Sequence, residues 1–229
     1  MTRSSDRIQV YLESGKKRTF AGALDWPGWC RSGRDEASAL QALFDYGPRY
    51  ARVLSAARLG FHAPAEASAF VVAERLEGNP TTDFGAPAVA PPSDARRVDD
   101  AELHGLQSLL KACWRSFDAA VRAAGGKELR KGPRGGGRDP EGIVRHVLGA
   151  DAGYLARLAW KTEKIEKEDL AEELKRTRQA MLNALASAAR GELPSHGPRG
   201  GEIWSPRYTV RRVAWHVLDH AWEIEDRSG

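Results

Sequence analysis

The chain has 229 residues, a net charge of +4, 41% hydrophobic and 29% charged residues, the balance of a soluble globular protein with room for one large domain or two modest ones. No apolar run approaches the roughly 20 residues that cross a bilayer, and Met1-Thr-Arg-Ser-Ser-Asp leads into charged sequence rather than an apolar signal core. A cytoplasmic protein with no membrane partner is expected.

An isoelectric point of about 9.2 would suit nucleic acid, but Lys and Arg alternate with Asp and Glu, as between Glu163 and Asp169. That mixing describes a solvated helix face and argues against a nucleic-acid partner. Cys30 and Cys113 are far apart and outside any metal-ligand spacing, so both read as small buried apolar residues in a reducing compartment.

Residues 7–78 read as mixed α/β. Ile8-Gln-Val-Tyr-Leu alternates like a strand, and Thr19-Phe-Ala-Gly-Ala-Leu reads as its hairpin partner across Ser14 to Lys17. A turn-rich stretch over 25–33 follows, then Asp35 as the cap of a helix through Asp45. Residues 50–58 have a helical pattern, and Phe70-Val-Val-Ala-Glu-Arg-Leu reads as a returning strand. Asp25, Pro27-Gly28, Cys30, Gly33, Glu36-Ala37 and Leu40 resemble the motif of the small HicB-like domain, in which a strand pair passes through a Pro-Gly turn into an amphipathic helix. The resemblance covers about a quarter of the chain. It implies a part that engages a protein or RNA, although no helix-turn-helix or ribbon-helix-helix pattern accompanies it here.

Gly85-Ala-Pro-Ala-Val-Ala-Pro-Pro-Ser-Asp94 is a linker by composition. The boundaries drawn are 1–84 for the α/β domain, 85–97 for the linker and 98–229 for a helical domain. Four helices are expected in the last: from Asp99 or Asp100 to about 124, from Pro140 to about 162, over roughly 167–189, and from Pro206 almost to the end. Such helices form a bundle, and bundles build metal sites from inward side chains.

Gly132-Pro-Arg-Gly-Gly precedes the second of these helices and Gly197-Pro-Arg-Gly-Gly the fourth, and each helix then carries His-Val-Leu, at His146 and His216. His216 and His220, four apart, lie on one helix face with roughly 5–6 Å between their Cβ atoms. With His146 from a facing helix they give three imidazoles, which leave a tetrahedral ion one open position. Zinc is the expected metal, with nickel or iron as others that such a set accepts. Asp151, Asp219 and Glu223 are candidates to orient the imidazoles. The loops are ordinary punctuation, or anion cradles in which Arg134, Arg138 or Arg199 adds charge. His62, His104 and His196 have no partner at ligand spacing, and Trp215 and Trp222 read as packing residues.

This pattern resembles the DinB/YfiT-like superfamily of metal-binding four-helix bundles, over residues 98–227. His146 matches the ligand of the second helix and His216 and His220 match the pair on the last, while Tyr154 stands where an aromatic is common. The chain departs from many members after His220, continuing Ala221-Trp-Glu-Ile-Glu-Asp-Arg227 without further histidines. The resemblance implies metal-dependent transfer of a low-molecular-weight thiol, or hydrolysis, on a small-molecule substrate that Tyr154 or Arg212 would orient. It leaves open a non-enzymatic binding module in which the bundle is a scaffold. A bundle of this type can also form a homodimer through an exposed helix face. The expected class is therefore α+β, a HicB-like α/β domain followed by a DinB-like four-helix bundle.

Overall fold

The computed structural model describes residues 7–131, 137–162, 169–194, 196 and 201–228. The chain divides into two compact units, Met1–Arg96 and Arg97–Gly229, and its class is α+β.

The first unit is a four-stranded sheet in the order β3-β2-β1-β4. Strands β1 (Ile8–Ser14) and β2 (Thr19–Ala23) form the expected antiparallel hairpin, and β4 (Phe70–Glu77) returns parallel to β1. The turn-rich stretch contains one more strand, β3 (Cys30–Gly33), antiparallel to β2. Pro27 and Gly28 obscured it, but the turn they make is what sends the chain back. Gly28 takes φ 93°, and the Pro27 carbonyl accepts the hydroxyl of fully buried Tyr50 at 2.8 Å. Gly22 on β2 admits no side chain, since a Cβ there would meet the Tyr11 ring at 2.4 Å.

Helix α1 (Glu36–Asp45) begins at Asp35, whose carboxylate accepts the Ser38 amide at 2.8 Å, and α2 (Gly47–Ser55) follows it. The core joins Tyr11, Leu12, Trp29, Leu43 and Tyr50, all at most 1% exposed. The proline-rich stretch is no free tether. Behind the short helix α3 (Pro80–Phe84), the amides of Ala88 and Val89 donate to the buried Glu13 carboxylate of β1, and that of Ser93 donates to Glu74.

The second unit holds four long helices: α4 (Asp100–Ala123), α5 (Pro140–Arg157), α6 (Leu170–Ala189) and α7 (Pro206–Ser228). Asp99, Asp139 and Asp169 cap the first three by accepting backbone N–H groups of the first turn. Helix α5 stops five residues before the expected end at 162. Leu158 and Trp160 both return their amides to the Leu155 carbonyl, and Ala159 takes φ 55°, which closes the helix without a glycine. Helix α7 touches each of the other three. It is buried without a break from Arg207 to Leu218, rather than along the single stripe that its apolar spacing suggests.

Candidate metal centre

Helices α5 and α7 carry the site. Val147 on α5 and Val213 and Val217 on α7 are fully buried, and packing these valines brings the adjacent histidines together. His216 and His220 are 8% and 9% exposed, and His146 is half-buried. One ring nitrogen from each of the three lies within 4.8 Å of the others. His146 Nε2 and His216 Nε2 are 3.2 Å apart, and the ring centroids are separated by 4.6 to 5.0 Å. Bonds of about 2.0–2.1 Å to a tetrahedral ion place its nitrogens about 3.4 Å apart, close to the observed spacing.

The donor set fits a metal in its protonation state as well. The Glu223 carboxylate stands 2.8 Å from His220 Nδ1. A carboxylate only accepts, so Nδ1 carries the proton and Nε2 keeps its lone pair for a ligand bond. Burial, reinforced by the neighbouring histidines, pushes the His216 pKa down to about 2, and burial also lowers that of His146. Both rings are neutral at pH 7, the form that binds metal. The carboxylate is itself held in place: Arg227 donates to Glu223 at 2.7 Å and to the carbonyl of Arg130 at 2.8 Å. This places Glu223, among the three acidic candidates, in the orienting position. Asp219 is half-exposed on α7. Asp151 is 1% exposed, and its pKa is pushed up to about 7 by burial.

Beside the histidines, Tyr154 sets its ring perpendicular to that of His216 at 6.0 Å and receives a long contact of 3.5 Å from Arg212 Nη2. The Arg212 guanidinium sits 5.7 Å from the Tyr154 ring and 5.0 Å from that of Trp215. Arg138, before α5, is near enough for its charge to depress both His146 and His216. Arg134 and Arg199 lie outside the described residues. His104 and His196 are exposed and His62 belongs to the first unit, so none joins the cluster. Cys30 and Cys113 are buried free thiols, and Trp215 and Trp222 are buried.

The family model of the DinB superfamily matches residues 109–224, half of the chain, with all three histidines inside. The chain belongs to the DinB superfamily. No curated protein and no solved structure matches it. The DinB match runs from the middle of α4 to the end of α7 and so leaves the sheet of the first unit outside it. Its three-histidine group is able to hold a metal ion. Sequence spacing identified the histidines, whereas the Arg130–Arg227–Glu223 chain was not anticipated. Its only sequence signal is the run Glu223, Arg227 at four-residue spacing.

Proposed function

We propose that His146, His216 and His220 hold a divalent metal ion, zinc in our reading, and that the protein is a metal-dependent enzyme acting on a small thiol. The observation that carries this is the convergence of three buried or half-buried imidazoles with His220 held in one tautomer by Glu223. When bound, the ion supplies Lewis-acid chemistry, lowering the pKa of a thiol or of water near neutrality.

The protein's own residues do the rest. Glu223 and Arg227 fix the ring plane of His220. Arg212, packed between Tyr154 and Trp215, and Arg138 place positive charge beside the histidines, which favours an anionic group on the substrate. The Tyr154 hydroxyl, its pKa raised by burial, stays protonated at neutral pH and orients through hydrogen bonds. The small residues Gly149, Ala150 and Gly153 follow His146 along α5 and leave room for a ligand; Gly149 and Gly153 are exposed, with no atom within 4 Å of where a Cβ would stand.

The first unit reads as a HicB-like domain in this proposal. The Pro27-Gly28 turn between the hairpin and α1 supports it. Such a unit would engage a protein or RNA while the bundle carries the chemistry.

Cobalt substitution tests the thiol reading. Both of the protein's cysteines are buried, so a sulfur-to-cobalt absorption band that grows on titrating a small thiol reports the added thiol alone. The expected result is a saturable band that His216→Ala abolishes. An unchanged spectrum contradicts thiol binding and favours hydrolysis or a scaffold role.

A further inference from the structure

A cleft of about 890 Å³ runs between α4, the start of α5 and α6, within the range of about 300–1,000 Å³ typical of small-molecule sites. It is separate from the histidines. Val144 lines it, and His146 lies two residues further along α5, roughly 200° round the helix.

Its wall is apolar, formed by buried Trp114, Phe117 and Val144 with half-buried Val121, Leu174 and Leu182. Two hydrogen-bond donors in that wall lack acceptors among the described residues. The Trp114 indole Nε1 is one, on a residue only 4% exposed, and Arg178 Nε is the other. The terminal nitrogens of Arg178 are both taken by Asp118, at 2.8 Å each, and its guanidinium lies 5.5 Å from the Trp114 ring. The two orphan donors therefore belong to one neighbourhood. A buried N–H without an acceptor is costly, and a ligand oxygen that reaches this wall recovers that cost.

The rim selects the charge. Lys111, Arg122, Lys127 and Lys175 are exposed around the mouth. The acidic residues among them are already engaged: Asp118 by Arg178, Glu141 by Arg145 at 2.7 Å, and Asp139 as the cap of α5. Lys175 also stands 3.5 Å from Glu172, a pair exposed to solvent that holds it weakly. We propose that this cleft binds an amphipathic anion, a free small molecule with an extended apolar body and one carboxylate. The apolar body lies along Phe117, Val144 and Leu174, and the carboxylate accepts from Trp114 and Arg178 beneath the lysines.

Calorimetric titration of the full chain with dodecanoate tests the proposal, with its methyl ester as the uncharged control. Dodecanoate is expected to bind at one site per chain, about tenfold more tightly than the ester. Trp114→Phe keeps the ring and removes the N–H; it should weaken dodecanoate about fivefold or more and leave the ester unchanged. Lys111→Glu with Lys175→Glu, both at exposed positions, should weaken dodecanoate in the same direction without touching the wall. Retained metal content in all three variants separates this site from the histidine cluster. Equal affinity for acid and ester, non-saturable uptake, or no binding up to about 1 mM would overturn the proposal. So would sedimentation showing a dimer that Leu174→Arg dissociates, since the cleft would then be covered by a second copy.

Discussion

Two carboxylates of the second unit show how the surroundings of a residue decide its role. Glu223 is half-buried beside His220 and Arg227, and the hydrogen bonds it accepts from them hold its pKa low. It is a fixed negative charge that sets a tautomer. Asp151 is fully enclosed, one of its oxygens has no hydrogen-bond partner, and its pKa rises to about 7. In the unfolded chain an aspartate ionises near 3.9. Between those two values the unfolded state gives up a proton that the folded state keeps, so stability falls as pH rises from about 4 to about 7 and is level above that. Asp151→Asn removes this slope. Denaturant titrations should find the variant more stable than the parent at pH 8, by up to ~4 kcal/mol, with the two converging near pH 4. An equal offset at both pH values would show that Asp151 is not the titrating group.

Elements of the first unit depend on a similar buried group. Glu13 on β1 is 0% exposed and receives the Thr82 hydroxyl and the amides of Ala88 and Val89. It thereby fastens the segment after α3 to the sheet. Glu13→Ala leaves those donors buried without an acceptor and should destabilise the protein by about 2–3 kcal/mol in chemical denaturation; a loss under about 0.5 kcal/mol would mean that water replaces the carboxylate. This attachment was not legible in the sequence, because Gly85 to Asp94 has the composition of a linker and its anchor lies more than seventy residues earlier. Other features were legible. Asp35, Asp99 and Asp139 announce helix starts through local hydrogen bonds, and the alternation over Ile8 to Leu12 announces a strand, because both signals are carried within a few residues. The end of α5 was not, since a positive φ at Ala159 is imposed by packing and by the Trp204 amide bound to the Arg157 carbonyl. For α7, the sequence shows which positions are apolar but not that three helices and the end of the α4–α5 loop surround it, burying Arg207, Arg211 and Arg212 as well.

At the scale of the whole molecule, the chain joins a small sheet-based unit to a DinB-superfamily bundle, and the three histidines lie within the bundle alone. No helix among the described residues is long and apolar enough to cross a membrane. Recognition of the site from sequence worked because its geometry is local where it matters. The pair on α7 is fixed by helical spacing, and only His146 depends on the long-range packing of α5 against α7. The central claim is that these three side chains hold a metal ion. Elemental analysis of protein purified without a histidine tag tests it most directly, comparing the parent with His216→Ala and His220→Ala. The account predicts about one equivalent of a divalent metal in the parent and near none in folded variants, since losing one ligand of three leaves too few to retain the ion. Equal metal content in all three proteins, or none in the parent after incubation with zinc, would contradict it.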